Sequence, residues 1–344
     1  MVLLRSGTRR GADRPRRAAR AIVHYTGGMN PELLALLRCP RCRGRLELAP
    51  EGDAALRCVG CSASFPVADG VPRLAGEAYV ASFGRQWNRY DVARDEEDEA
   101  VFRAKTGVDP RGLSGRLVLD AGCGGGRYAR LLGGFGARVV GVDLSDAVDK
   151  AARLTAEFPD VAIIQADLLD LPLVDSAFDL VFSIGVLHHS PDPRLAFSQV
   201  ARRVKPGGRL AVWLYRRNTP PQEWLNSAIR TVTTRTPPGV LEPLGAGLGV
   251  LGSVPVLNRT LNKVFNFSNH PDWTLRVCDN FDWYAPAYQS HHTLPELRRW
   301  FEEEGFTDLV ELRPQKAGRL YDWAYDRDLI IGSGVNVAGT RAGA

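Results

Sequence analysis

No stretch of the 344-residue chain approaches the roughly 18 apolar residues that a membrane-crossing helix needs. The uncharged segment 243–258 is shorter, and four glycines and two prolines break it. A secretory leader is not expected either, because the early apolar runs at 2–4 and 21–23 are too short for its core. No internal repeat is visible, so a solenoid or propeller is out. Methionine is confined to Met1 and Met29. What remains is the expectation of a cytoplasmic enzyme with one large core and one small extra module.

Positive charge is scarce outside the first residues. The net charge is +5, yet residues 1–28 hold seven arginines against Asp13 alone. Removing those eight charges leaves 37 basic and 38 acidic residues in the rest. The body is slightly acidic, which argues against a nucleic-acid surface. Residues 1–28 read as a basic, disordered tail, or as a segment upstream of a start at Met29. A transit peptide or an arm for acidic partners is the alternative.

Four of the six cysteines form two knuckles, Cys39-Pro40-Arg41-Cys42 and Cys58-Val59-Gly60-Cys61. The spacing C-x2-C-x15-C-x2-C is that of a four-thiolate zinc site. Each turn chelates with two sulfurs, and hairpin strands at 45–48 and 54–57 close the tetrahedron. Four thiolates leave no open position, so the zinc is expected to be structural. Redox pairs or disulfides are weaker readings, since a redox motif needs no second pair. Around the knuckles, residues 33–40 and the run Phe65-Pro66-Val67-Ala68-Asp69-Gly70-Val71-Pro72 resemble the zinc-ribbon family that activates methyltransferases as a separate subunit. Here such a ribbon, over about 31–75, precedes another domain.

Beyond a charged linker the pattern alternates between strands and helices. Residues 116–120 read as a buried strand running into Ala121-Gly122-Cys123-Gly124-Gly125-Gly126, then a helix over 127–132. Strand, glycine turn and helix N-terminus together make a nucleotide site. The next strand, 137–142, ends in Asp143, placed to hold two ribose hydroxyls. A dinucleotide register, Gly124-x-Gly126-x-x-Ala129, fits formally, but it leaves acidic Asp120 beside a pyrophosphate. S-adenosylmethionine has no phosphate, and its ammonium suits Asp120. Further strands are expected at 161–167, ending in Asp167, at 178–183, at 209–214 after the turn Lys205-Pro206-Gly207-Gly208, at 305–312 and at 320–335, with a helix at 294–304.

This set resembles the class I S-adenosylmethionine-dependent methyltransferases over about residues 80–332, through VLDAGCG-x-G and S-x-x-VLHH. The resemblance implies an α/β fold: a Rossmann-like, seven-stranded, mostly parallel sheet whose last strand is antiparallel. It implies that Asp120, Gly122 and Gly124 line the methionine end, that Asp143 holds the ribose, and that Asp167 with Leu168 borders adenine. The chain then divides into a tail (1–28), a zinc ribbon (29–76) with Cys39, Cys42, Cys58 and Cys61 as metal ligands, a linker (77–110) and a methyltransferase domain (111–344).

The insertion 216–293 is rich in aromatics, among them Trp224, Phe265, Phe267, Trp273, Phe281, Trp283, Tyr284 and Tyr288. It reads as a helical lid over the acceptor, or else as a homodimer interface or core padding. The segment Phe83-Gly84-Arg85-Gln86-Trp87 is a second candidate for covering the cofactor. His188, just after the fourth strand, is the candidate general base, with packing as its alternative role; His291 and His292 are second choices. The function expected is methyl transfer from S-adenosylmethionine to a small molecule: sugar-linked, lipid-like or a natural-product intermediate. The alternatives are rRNA or tRNA methylation, for which Arg38, Arg41, Arg43, Arg45 and Arg57 would form a local patch, and a non-catalytic scaffold.

Overall fold

The computed structural model describes residues 30–50, 54–76, 95–217, 219–236, 272–313 and 334–343, with isolated positions between 239 and 270 and at 323 and 327. The tail, the Phe83–Trp87 motif, Phe265 and Phe267 lie outside the described residues.

Five near-continuous apolar strands run parallel through the centre: β5 (Leu117–Ala121), β6 (Arg138–Asp143), β7 (Val161–Gln165), β8 (Phe178–Ile184) and β9 (Val204–Tyr215). Such runs suit strands covered on both faces. Here the cover is supplied by α2 (Asp95–Thr106), α3 (Arg127–Gly134), α4 (Val148–Thr155), α5 (Pro193–Ala201) and α8 (Leu294–Glu303). β10 (Phe306–Glu311) and β11 (Gly334–Arg341) complete a seven-stranded sheet in the order β10-β11-β9-β8-β5-β6-β7. β11 runs antiparallel to both neighbours. The expected sheet is therefore present.

Two strands differ from expectation. The last was expected at 320–335 and instead spans Gly334–Arg341; most of the earlier stretch is outside the described residues. The glycines there look like loop residues, but they permit close packing. A Cβ at Gly334 would lie 2.0 Å from the Trp213 ring, and one at Gly339 2.5 Å from Leu309. β9 starts at Val204 rather than 209, because pairing opposite β8 jumps from Phe178↔Val204 to Leu180↔Arg209. The Lys-Pro-Gly-Gly turn thus loops out of a longer strand, with Gly207 at φ +74.

The N-terminal part has a short helix α1 (Pro31–Leu34) and an antiparallel sheet of β1 (Leu46–Leu48), β2 (Ala55–Cys58), β3 (Ser64–Ala68) and β4 (Val71–Pro72). It is packed onto the β7 edge rather than tethered beside it. Arg73 pairs in parallel with Gln165, and the Leu74 N–H donates to the Gln165 carbonyl at 2.8 Å. Arg38 N–H donates to Pro172 O, and Val174 N–H returns to Leu36 O. Leu33, Leu37, Leu46, Leu56 and Leu74 share one buried cluster with Leu168, Leu171 and Leu173. An open sheet edge invites foreign strands, and this module covers it.

Two helices of the insertion are described, α6 (Pro220–Thr233) and α7 (Trp273–Tyr284). Arg230 of α6 donates to the carbonyls of Trp283 (3.1 Å) and Pro286 (2.6 Å), and Thr233 to that of Tyr284 (2.8 Å). No described helix is long and apolar enough to cross a membrane.

Candidate functional site

The four knuckle cysteines converge. Their sulfurs all lie within 4.8 Å of one another, with Cys42–Cys58 at 3.4 Å and Cys39–Cys61 at 3.6 Å. Zn–S bonds of about 2.3 Å in a tetrahedron place sulfurs about 3.8 Å apart, so the set fits a zinc ion. The Cys61 and Gly60 amides, with the Cys42 thiol, donate toward Cys58 and hold it down to about 6, while Cys42 is in turn pushed up to about 12, so one thiolate is shared across the pair. Gly44 and Gly60 leave room beside these sulfurs: a Cβ at Gly44 would sit 3.1 Å from the Cys58 sulfur.

The second centre forms at the carboxyl ends of β5, β6 and β8. The chain leaves β5 at Asp120–Ala121 and turns through Gly122 (φ +93), Gly124 (φ +49) and Gly126 (φ +85), conformations that favour glycine. Where the amide hydrogens of this turn go decides what it can bind. Gly122 and Cys123 both donate to Val142 O, Gly126 donates to Cys123 O, and Gly124 donates to Asp143 Oδ2 at 2.9 Å. A pyrophosphate cradle needs such N–H groups free. Here four of them are spent inside the protein.

Carboxylates line the site instead. Asp143 ends β6 and accepts at Oδ1 from the amide and hydroxyl of Ser145, at 2.9 and 2.7 Å. Burial pushes its carboxyl up, against those hydrogen bonds. Asp120 is 2% exposed, and its Oδ2 has no partner. Burial first, then the Asp143 charge, pushes it up to about 8, with Arg127 opposing. Two crowded carboxyl groups, one with an unpartnered oxygen, suit a ligand carrying positive charge. β7 stops at Gln165 rather than 167, and Asp167, two residues on, caps the 3-10 turn Leu168–Asp170, its Oδ1 accepting from Leu169 N–H at 2.9 Å. Leu168 is buried.

The loop after β8 closes over the turn. A Cβ on Gly122 would lie 2.3 Å from Val186, so Val186 and the glycine turn are in contact. His188 follows in the 3-10 turn Leu187–His189; it is fully buried and stacked on Tyr215 at 3.9 Å, with both ring nitrogens unpartnered. Burial, then the neighbouring histidines, lowers its pKa well below the usual histidine range, so it is neutral. The segment around 288–292 bridges β8 and β9: Ser290 N–H donates to His188 O, and His292 N–H to Tyr215 O, both at 2.8 Å. His291 stacks on Trp283, and its Nδ1 meets Glu223 Oε2 at 2.6 Å. Of the insertion's aromatics, Phe281 and Tyr284 are buried, while Trp224, Trp273 and Tyr288 are exposed.

Sequence reasoning missed Val186, Glu223 and Lys105. Lys105 places its Nζ 3.9 Å over Trp213, and burial, then Arg127, lowers its ammonium to about 7. Glu223 carried no signal, because its partner lies 68 positions away.

Residues 119–212 match the model of the family described as methyltransferase domain, and residues 30–70 that described as Trm112p-like protein. The chain carries both domains. A ubiquinone biosynthesis O-methyltransferase of Alkalilimnicola ehrlichii is 41% identical over 110 residues, covering 31% of this chain and 44% of that protein. One of Pseudomonas paraeruginosa is 31% identical over 148 residues, covering 42% and 63%. The chain thus spans about half the length of the curated relatives it matches. A solved complex containing the Haloferax volcanii Trm112 methyltransferase activator is 16% identical, covers 76% of this chain and 95% of that one, and has a TM-score of 0.43.

Proposed function

We propose that the chain transfers a methyl group from S-adenosylmethionine to a hydroxyl of a small, lipid-like acceptor, and that its ribbon is a built-in counterpart of a separate activator subunit. The observation that carries this reading is the pair Asp120 and Asp143 beneath a glycine turn whose amides are already spent. A cationic, phosphate-free nucleoside ligand answers both features: its ammonium meets the unpartnered Asp120 oxygen, and a ribose hydroxyl uses the acceptor site remaining on Asp143 Oδ2. Asp167 and Leu168 border the base. The hydroxyl acceptor follows the named O-methyltransferase relatives, and the buried rings beyond β8 and β9 suit apolar bulk.

The sulfonium supplies an activated methyl group when bound. The protein's own work is positioning: Val186 presses the turn, and the insertion helices cover the acceptor side. Cys39, Cys42, Cys58 and Cys61 hold a structural zinc ion. RNA is disfavoured as acceptor, because Arg43 pairs with Asp170, Arg38 folds onto local carbonyls and Arg45 pairs with Glu47.

Calorimetry with S-adenosylmethionine and with NADH tests the reading. Binding of the first and not the second is expected, with about one zinc per chain by metal analysis. Tight NADH binding without S-adenosylmethionine binding would sink it.

A further inference from the structure

His291 and Glu223 form a pair, the imidazole largely buried and the carboxylate half-buried, beside Tyr215 at the carboxyl end of β9. Glu223 Oε2 lies 2.6 Å from Nδ1, and the imidazole is 7% exposed. Nε2 is buried and has no partner. The ring is clamped against Trp283, which donates to Asn226 at 3.0 Å and packs on Tyr215 at 4.5 Å. The backbone is fixed as well: Arg217 N–H donates to His292 O, and its guanidinium reaches His291 O at 3.4 Å. An imidazole oriented by a carboxylate at one nitrogen and bare at the other is arranged as a general base.

The neighbouring histidines are arranged otherwise. His188 has no carboxylate partner, and its lowered pKa makes its neutral ring a poor proton acceptor. His189 Nδ1 is engaged by Tyr288 O at 3.1 Å. His292 meets Glu296 at 3.2 Å, but its Nε2 is taken by the Ser290 hydroxyl at 2.8 Å.

We propose that His291 Nε2, with Glu223 as its positioning residue, takes the proton of the acceptor hydroxyl. This rests on the methyl-transfer reading above. As the C–O bond to the acceptor forms and the C–S bond of the sulfonium breaks, the O–H proton passes to Nε2, and the imidazolium is stabilised by Glu223. The products are the methyl ether, the neutral thioether and a proton that His291 then yields to water. The charged groups facing His291 are Glu223 on α6, Arg217 after β9, Glu296 on α8 through His292, and the neutral His188 beyond β8. Lys105 stands over Trp213, two residues before Tyr215 on the same face of β9.

Two measurements on the full chain test this. Without acceptor, 15N spectra of histidine-labelled protein should show His291, assigned by His291→Gln, protonated at Nδ1 and bare at Nε2. Glu223→Leu should abolish that preference. With S-adenosylmethionine and 4-tert-butylcatechol as probe, kcat/KM should fall on an acid limb in the wild type. His291→Gln should lose about 10²-fold or more and the limb with it, while its affinity for S-adenosylmethionine is unchanged. Glu223→Gln, which keeps the hydrogen bond but not the charge, should lose less. A proton on Nε2, an acid limb retained in both variants, or no methylation of the catechol by protein that binds S-adenosylmethionine overturns the assignment. Loss of S-adenosylmethionine binding in the wild type would instead sink the underlying reading.

Discussion

Arg43 reaches out of the first cysteine knuckle to the carbonyl oxygen of Leu171, 2.9 Å away, and pairs with Asp170. Arg43 sits at φ +62, held there by its own N–H donating to Cys39 O. The knuckle that would be shaped by zinc therefore braces the turn that starts at Asp167. Chelating the metal should lower the thermal transition and weaken S-adenosylmethionine several-fold, because the ribbon shares its core with that turn. Arg43→Ala should keep the zinc and cost about 1 kcal/mol of cofactor affinity. Calorimetry on metal-free protein checks this; unchanged affinity would show that the brace is irrelevant.

Gly122→Ala puts a methyl group 2.3 Å from Val186, in a backbone conformation that L side chains avoid. Loss of S-adenosylmethionine binding and a lower melting temperature are expected. The double variant with Val186→Ala should regain part of the stability, since the obstructing atoms are then gone, while the strain at φ +93 remains. If Val186→Ala gives no rescue, the turn and the β8 loop do not press on each other as described.

The sheet was legible because its central strands are buried on both faces and so read as mostly apolar runs, Leu117–Ala121 and Phe178–Ile184 among them, interrupted only by Asp120, Asp179 and Ser183. The knuckles were legible because thiolate chelation fixes spacing. β11 was misplaced because glycine at 334 and 339 looks like loop chemistry, yet here answers to Trp213 and Leu309. The docking of the ribbon on β7, and the approach of Glu223 to His291, depend on tertiary contacts that leave no local pattern. The glycine turn was visible, but the use of its amides on Val142 and Asp143 was not.

Asp143→Ala removes the acceptor for Gly124 N–H and for both Ser145 groups. Hydrogen bonds to a carboxylate contribute about 1.5–3 kcal/mol, so S-adenosylmethionine affinity should fall by at least about tenfold. Asp167→Ala removes a single local cap, at 2.9 Å to Leu169, and should do less. An Asp167 variant weaker than the Asp143 variant in a titration would reverse the assigned roles.

The pH dependence of cofactor binding follows from Asp120. Its carboxyl is pushed up to about 8 in the folded protein, from an ordinary value near 4. A raised folded pKa means the folded state holds the proton more tightly than the unfolded chain. The stabilisation is complete below about 4 and is lost as pH climbs through about 8. The ligand-free protein should therefore lose stability progressively across that window. A cationic ligand needs the ionised form, so its binding must expel the proton. S-adenosylmethionine affinity should rise by about tenfold per pH unit between 6 and 8 and then level, as Asp120 is already ionised and the ligand's own amine begins to lose its proton. Asp120→Asn should bind weakly with a flat profile over the same range, and its ligand-free melting temperature should depend less on pH. Calorimetric titrations at four pH values, in buffers of different ionisation enthalpy, count the proton released. A wild-type affinity constant from pH 6 to 8 with no proton release would show that Asp120 does not face the ammonium.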